Sequence, residues 1–296
     1  MLNTLLCPCG SGKTFISCCR NSPNVRVFSA PLANEKERKD FIENVEIASK
    51  FKMPMRGHLL FYGKDLVAYV KDSSSISDDT YKFLQPFSFF LYQKNDQGKL
   101  NSWKDCTFSF WDELISTYFV HSIRLSAQQN EVGTLLHELK KFAVWLKKHQ
   151  KGSFLKKIHS RIHAYETDLK LCEKVINSLY ESHWGDFHDK DWDYKRAVYE
   201  SENRLNSYSV TEEGLFEVTG VMGNYTVAKC CETEKYYYFK GLPVKLIQPH
   251  LLLSGTIGKQ YSQDTWDWIF TSAVYPQESK SYLLSSVTDL YTSTFV

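Results

Sequence analysis

Four cysteines within thirteen residues near the start of the chain constrain the local fold more than any other feature. They form a Cys-x-Cys pair, Cys7 and Cys9, and an adjacent pair, Cys18 and Cys19. Thiolate sulfur is the ligand type of tetrahedral structural zinc. Two disulfides or four free thiols are the alternatives, but a cell interior disfavours disulfides and adjacent cysteines do not readily bridge each other. The spacing therefore predicts a zinc knuckle with these four residues as metal ligands.

The same segment contains Gly12-Lys13-Thr14, which looks like the end of a phosphate-binding loop. In that motif a glycine stands five residues before the second glycine, and here this position is Cys7. Only six residues precede the first thiol, so there is also no room for the preceding strand. The glycines are better explained by sharp turns around a metal, because glycine takes positive φ without a Cβ clash.

Residues Cys7 to Lys13 read Cys-Pro-Cys-Gly-Ser-Gly-Lys, and Cys18-Cys19 closes the run. This pattern resembles the SEC-C motif, which stands at the C-terminus of the bacterial preprotein translocase motor ATPase and in many otherwise unrelated bacterial proteins. The resemblance covers roughly residues 5 to 21, and the rest of the chain is not recognised. It implies that the four cysteines bind Zn²⁺ and that the segment is a recruitment element for a protein partner, in a protein of bacterial or phage type.

Composition places the remaining chain among globular proteins. Its 296 residues are 43% hydrophobic, enough for one large or two ordinary domains, and 36 basic residues against 34 acidic ones give a net charge of +2. No stretch approaches the eighteen apolar residues of a membrane span, and the first six residues lack the features of a signal peptide. We expect a cytoplasmic protein that does not bind membranes.

Local patterns predict a mixed α+β body after the knuckle. Residues 34–52 carry apolar positions at helical spacing. The runs 58–62 and 66–70, separated by Gly63-Lys64-Asp65, predict a β-hairpin, and the aromatic stretch 87–92 predicts another strand. Four nearby aromatic residues are interpreted as core packing rather than as stacking platforms for bases: Trp103, Phe108, Phe110 and Trp111.

From about residue 130 to residue 182 the period becomes helical. Two series of apolar residues, one from Val132 to Leu146 and the other from Leu155 to Leu179, flank Gly152-Ser153. They predict a long antiparallel helical hairpin.

The polar faces of this hairpin carry the strongest charge asymmetry of the chain. Between His137 and Lys170, nine basic residues face three acidic ones, a local excess of six. His159 and His163 are interpreted as part of this basic surface. An ordinary solvated helix surface explains the excess, but nucleic-acid binding is the alternative. The residues that would contact phosphates are Lys140, Lys141, Lys147, Lys148, Lys156, Lys157 and Arg161.

Residues 206–296 predict successive β-hairpins, with a turn at Met222-Gly223-Asn224 and another at Glu232-Thr233-Glu234. Together they suggest a small curled sheet of the SH3 or OB type. The predicted fold class is therefore α+β in three domains: a zinc knuckle in residues 1–22, a mixed α+β body in residues 23–205 with the basic hairpin, and a β-rich module in residues 206–296.

The sequence shows no catalytic constellation, although residues 183–193 concentrate polar groups. This stretch offers two imidazoles and four carboxylates, and His183, Asp186 and His188 could form a second metal site. A metal-dependent hydrolase or nuclease in phage defence or toxicity is therefore an alternative. His137-Glu138 opens like a zincin helix, but Lys141 stands where the second histidine belongs.

The other four cysteines, Cys106, Cys172, Cys230 and Cys231, are interpreted as buried apolar thiols. The leading hypothesis is thus a zinc-binding adaptor that docks on a macromolecular partner, most simply a protein. No enzyme activity is assigned.

Overall fold

A computed structural model describes residues 34–73, 76–98, 100–123, 130–149, 151, 154–185, 187, 189 and 193–285, without the side chains of residues 194, 195, 197 and 198. The fold is a mixture of helix and sheet, with the helices first and the sheet after them. The helices are α1 (Glu35–Lys50), α2 (Phe61–Asp72), α3 (Asp78–Asp96), α4 (Phe108–Glu113), α5 (Phe119–Ser122), α6 (Glu131–Lys148), α7 (Leu155–His183) and α8 (Tyr194–Asn206). A π-helical segment, Leu114–Tyr118, joins α4 to α5, and three short 3₁₀ helices lie at Met55–Leu59, Trp103–Asp105 and Gln277–Ser279.

The first helix begins where its sequence predicts. The side chain of Asn34 accepts a hydrogen bond from the backbone N–H of Glu37 at 2.9 Å, which satisfies one of the free donors of the first turn. Glu35 and Glu37 lie near the positive end of the helix dipole, and Lys50 lies near its negative end. The prediction of a helix over residues 34–52 is confirmed.

The predicted hairpin over residues 58–70 is wrong, because these residues form a 3₁₀ turn followed by α2. Tyr62, Leu66, Tyr69 and Val70 are buried at helical spacing, so tertiary packing overrides the β-propensity of aromatic and β-branched side chains. Gly63, interpreted as a turn residue, instead allows a close approach. A Cβ at this position would lie 2.1 Å from the carbonyl oxygen of Gly57.

The strand predicted over residues 87–92 is also wrong, since it lies inside α3. Phe83, Phe87, Phe90 and Leu91 repeat every three or four residues and are all at most 1% exposed. Ser77 caps this helix by accepting from the N–H of Thr80 at 3.3 Å. In the described residues before β1, the body is therefore helical rather than mixed.

The long helical hairpin is confirmed as α6 and α7. The carboxylate of Glu173 accepts from the backbone N–H of Glu131 at 2.7 Å, and Lys140 lies 3.9 Å from Glu166. Between these two contacts the residue number increases along α6 and decreases along α7, so the two helices are antiparallel. Leu139, Phe142, Leu146, Ile158 and Ile162 fill the seam between them and the rest of the helical core.

The helical core is rich in aromatic residues, as the sequence indicates. Trp103, Phe110 and Trp111 are buried, and Phe142 contacts Trp103 with ring centroids 5.7 Å apart. The exception is Phe108, which is 44% exposed and carries the guanidinium of Arg161 over its ring, 3.9 Å from the centroid. Three of the four predicted core aromatics are thus confirmed.

The strands that follow the helices form a closed barrel in the order β1-β2-β3-β5-β4. Its strands are β1 (Val210–Met222), β2 (Tyr225–Cys230), β3 (Tyr236–Lys240), β4 (Leu252–Lys259) and β5 (Trp266–Tyr275). The predicted turn after Met222 is present, with Gly223 at φ +59°, and Met222 pairs with Tyr225. All pairings are antiparallel except β3 with β5, which are parallel.

The barrel interior explains its compact closure. Phe216, Tyr237, Phe239 and Trp268 point inward and contact one another edge-on or tilted. Gly255 allows β4 and β5 to approach, since a Cβ there would lie 2.1 Å from the carbonyl oxygen of Phe270. Small and large residues thus alternate in a filled core.

Helix α7 belongs to both cores. Its first half packs in the helical core, whereas Cys172, Val175 and Leu179 pack among barrel residues. In return, Leu252 and Tyr275 of the barrel join the helical core. The three-domain division at residues 22 and 205 stays a prediction.

Candidate functional sites

The predicted zinc ligands Cys7, Cys9, Cys18 and Cys19 lie outside the described residues, and their role stays a prediction. The described part of the chain begins with Asn34, the cap of α1. Among described residues, no group of three or more His, Cys, Asp or Glu side chains could hold a metal ion.

Three of the remaining four cysteines have environments that keep the thiol protonated. Cys106, Cys172 and Cys230 are buried as predicted, while Cys231 is half-buried. Burial raises the pKa values of the Cys106, Cys172 and Cys231 thiols, because a thiolate is poorly solvated there. None of these three environments favours the thiolate that nucleophilic catalysis needs.

Most cations of the basic hairpin already have carboxylate partners. The structure pairs five of the nine with acidic residues: Lys140 with Glu166 at 3.9 Å, Lys141 with Glu138 at 2.7 Å, Lys151 with Asp65 at 3.3 Å, Arg161 with Asp112 at 3.2 Å and Lys170 with Glu166 at 2.7 Å. Their charge is therefore partly or fully offset. Arg161 in particular is held against Phe108 rather than presented to solvent.

The other four lysines gather at the closed end of the hairpin. Lys147 and Lys148 occupy the last turn of α6, and Lys156 and Lys157 the first turn of α7. All four are exposed, and none has a carboxylate within 4.0 Å in the portion of the chain that is described. We call these four residues the lysine tip. Cations in the first turn of α7 oppose its dipole, so an anion bound there would relieve the repulsion.

The histidines of the hairpin lie where the sequence predicts. His159 and His163 are exposed and one turn apart on α7. Glu138, next to His137, is only 2% exposed, and it accepts hydrogen bonds from Thr80 at 3.0 Å and Lys141 at 2.7 Å. The carboxylate of this zincin-like pair is thus engaged inside the helical body.

His183 is the last residue of α7, and its side chain contacts its own helix. Its Nδ1 lies 2.8 Å from the carbonyl oxygen of Leu179, one turn earlier, and the centroid of its ring lies 5.7 Å from that of Trp184. Burial lowers the pKa of this imidazole. Asp186 and His188, its proposed partners in a metal site, lie outside the described residues. The second metal site at His183, Asp186 and His188 therefore stays a prediction.

Sequence reasoning missed a buried carboxylate that joins distant parts of the chain. Asp112 of α4 is 9% exposed and accepts three hydrogen bonds. Oδ1 accepts from Arg161 at 3.2 Å and from the Tyr165 hydroxyl at 2.7 Å, and Oδ2 accepts from the Tyr282 hydroxyl at 2.9 Å. We call these four residues the Asp112 clasp. No local pattern could have found it, because its members are up to 170 positions apart.

The chemistry of the Asp112 clasp is that of a contact that stabilises the fold. Burial, followed by the hydrogen bond to Asp112, raises the pKa of Tyr165 to about 12, and burial also raises the pKa of Tyr282. Both hydroxyls remain protonated donors at neutral pH. The charge of Arg161 is matched by that of Asp112 at 3.2 Å, so the cluster is an ion pair reinforced by hydrogen bonds.

An open cleft of about 220 Å³ lies where α7 meets the barrel. Its lining includes Asp168, Gln248, His250 and Glu278. Enclosed small-molecule sites are mostly larger, about 300 to 1,000 Å³, and more apolar. The cleft therefore gives no support to a small-molecule active site.

Comparison with known proteins identifies one segment. The family model of the SEC-C motif matches residues 4–21. The chain carries a SEC-C motif. This confirms the resemblance carried by the Cys-Pro-Cys-Gly-Ser-Gly-Lys run and its closing cysteine pair. The rest of the chain is not covered by that match, and neither the curated proteins nor the solved structures provide a match to this chain.

The described helices also bear on membrane insertion. None of them combines the length and apolar character that crossing a bilayer requires. Even the longest, α7 with 29 residues, carries charged residues along its length.

Proposed function

We propose that this protein is a zinc-dependent adaptor, in which the SEC-C motif docks on a protein partner and thereby recruits the folded helical and barrel body. The observation that carries the proposal is the match at residues 4–21 in front of a body with its own extensive core. In this arrangement Cys7, Cys9, Cys18 and Cys19 hold Zn²⁺. Their donor set fits the metal, since four thiolates are a common ligand set of structural zinc.

Zinc supplies the folding free energy of the motif. A segment of eighteen residues cannot bury enough apolar surface to fold alone. Metal ligation contributes on the order of 10 to 16 kcal/mol in zinc-finger peptides, enough to order such a segment. The metal is structural, with no position left open for a substrate when four sulfurs bind it.

Chelation of the purified, reduced full-length protein tests this proposal. We expect one zinc per chain by elemental analysis, and we expect a strong chelator to change the amide resonances of residues 4–21 while those of residues 210–275 stay in place. Cys9→Ser should have the same effect without chelator. Cys231→Ser is the matched control, because it removes a half-buried thiol of the body. Full-length protein without stoichiometric metal, or a motif indifferent to chelator, would refute the proposal.

Partner capture tests the recruitment role itself. Tagged wild-type protein should retain a defined protein from a bacterial lysate, and both Cys9→Ser and chelation should abolish that retention. Capture that survives both treatments would place recruitment elsewhere on the molecule.

The barrel is proposed to belong to the OB type rather than the SH3 type, between which the sequence left the choice open. The five strands in the order β1-β2-β3-β5-β4 and the parallel β3–β5 pair support this assignment. Such barrels serve as rigid binding modules for many ligand classes, so the fold alone does not identify a ligand.

Nucleic-acid binding is a second candidate function, favoured by the lysine tip. Four exposed lysines at one end of a hairpin can contact several phosphates, whereas the paired cations Lys140, Lys141 and Arg161 contribute less. The logarithm of affinity for duplex DNA should fall with the logarithm of salt concentration, with a slope of about −0.9 per phosphate contacted. Lys147→Glu with Lys148→Glu should abolish binding, and Lys245→Glu in the barrel is the matched control. A flat salt response, or binding that survives the double change, would eliminate this function.

A further inference from the structure

Three exposed tyrosines stand on the outer surface of the hairpin formed by β2 and β3. Tyr236 and Tyr238 are 60% and 47% exposed, while the intervening Tyr237 points into the barrel. Tyr225, at the start of β2, is 38% exposed. The alternation follows from strand geometry, because successive side chains point to opposite faces of a sheet.

Strand register brings these rings into one array. Tyr238 pairs with Val227, and Tyr225 pairs with Met222 of β1, which is 64% exposed. Residues two apart along a strand are separated by roughly 7 Å, and adjacent strands by about 5 Å. The five side chains therefore form a continuous patch, which we call the tyrosine face: Met222, Tyr225, Val227, Tyr236 and Tyr238.

The charges around this patch are balanced. Lys229, which pairs with Tyr236 across the strands, lies 2.8 Å from Glu234, and Lys240 lies 3.5 Å from Asp267. Residues 207–285 contain six lysines and eight acidic residues, so the barrel as a whole has a small negative charge. A nucleic-acid strand needs unpaired cations along its backbone. The tyrosine face instead suits an uncharged partner.

The exposed area of the tyrosine face limits the size of the partner that can bind to it. A fully exposed aromatic side chain offers about 200 Å², so the exposed fractions of the three rings correspond to roughly 300 Å². Each partner in a stable complex of two globular proteins buries about 800 Å². A second copy of this chain would need far more contact area than this face provides. A short extended segment does not need a contact area larger than this face provides.

We propose that the tyrosine face binds a short, proline-containing segment of another protein in the polyproline II conformation. Such segments are ordered before binding and dock on aromatic surfaces, where proline rings lie against tyrosine rings. The tyrosine hydroxyls can donate to the free carbonyl groups of the segment, which has no internal hydrogen bonds. This surface lies in the barrel and goes beyond the docking role of the SEC-C motif.

Titration of the ¹⁵N-labelled full chain with a capped decaproline peptide tests the proposal. We expect shifts in amide resonances of residues 222–240, and we expect Tyr236→Ala with Tyr238→Ala to weaken binding at least tenfold. Both side chains are exposed, so the double variant should keep the wild-type circular dichroism spectrum. Tyr261→Ala, at an 82% exposed tyrosine outside the tyrosine face, should bind decaproline as the wild type does.

Three results would overturn the proposal. The first is the absence of shifts at millimolar decaproline. The second is a response of the tyrosine face to a fifteen-nucleotide oligothymidine instead, which would make it a nucleic-acid surface. The third is concentration-dependent self-association that the double variant abolishes. Decaproline affinity should be unchanged in Cys9→Ser, so a failure here is distinguishable from a failure of the zinc proposal.

Discussion

Removing the carboxylate of the Asp112 clasp should destabilise the protein more than most single changes. In Asp112→Ala, the guanidinium of Arg161 and the hydroxyls of Tyr165 and Tyr282 all lose Asp112 as an acceptor, and Arg161 keeps only its hydrogen bond to the Tyr165 hydroxyl at 2.9 Å. The arginine side chain is 24% exposed and the aspartate side chain 12%. A largely buried cation would thus be left without its counter-charge.

The magnitude follows from the number and type of the broken contacts. Removing one partner of a buried ion pair costs about 3 to 5 kcal/mol. Because Arg161 keeps some access to water, we expect the lower half of this range, about 3 to 4 kcal/mol. Tyr282→Phe removes only one of the three hydrogen bonds and leaves the ion pair intact, so we expect about 1.5 kcal/mol.

Chemical denaturation followed by far-ultraviolet circular dichroism measures both changes. Glu166→Ala is the matched control, since its carboxylate forms two exposed ion pairs, with Lys140 and Lys170, and an exposed pair contributes at most about 1 kcal/mol. Asp112→Asn should fall between the alanine variant and the wild type, because the amide oxygen can still accept. A loss below about 1 kcal/mol in Asp112→Ala would show that the clasp is not an energetic tie.

Three further predictions test other parts of the fold. Gly255→Ala should cost more than about 2 kcal/mol, because its Cβ would meet the backbone oxygen of Phe270, whereas Gly220→Ala, with open space around it, should be nearly neutral by the same denaturation assay. Glu173→Ala should cost about 1 to 2 kcal/mol, since the first turn of α6 loses its acceptor; an unchanged midpoint would contradict the capping role. Burial lowers the pKa of His121, so the unfolded chain takes up its proton first and stability should fall as pH drops below about 6.5; a pH dependence unaltered by His121→Gln would contradict this.

Sequence patterns predicted the elements whose period is strong and whose turns are distinctive. The apolar series from Val132 to Leu146 is long enough to identify α6, and Gly223 marks the β1–β2 turn because its φ is positive. In contrast, residues 58–70 are rich in aromatic and β-branched side chains that also suit a strand. Only the packing of Tyr62 and Leu66 in the helical core makes that region a helix.

Other features depend on contacts that no local pattern contains. The Asp112 clasp joins three helical residues to Tyr282, which follows the barrel in the chain. Strand β5 was not predicted, although Trp266 and Trp268 alternate around Asp267 as in a half-buried strand. The SEC-C motif is the opposite case, since the spacing of a few cysteines identifies it without any tertiary information.

The attachment of the barrel at both of its ends has a mechanical consequence. Before the barrel, α7 runs through both cores; after it, the hydroxyl of Ser279 donates to the carbonyl oxygen of Ser116 at 2.7 Å, and Tyr282 reaches Asp112. Because contacts hold the barrel to the helical body on both sides, it cannot rotate freely relative to that body. A molecule bound to the outer surface of the barrel would therefore have a fixed orientation relative to the helices. A force applied to that molecule would be transmitted to the helical body as well as to the barrel.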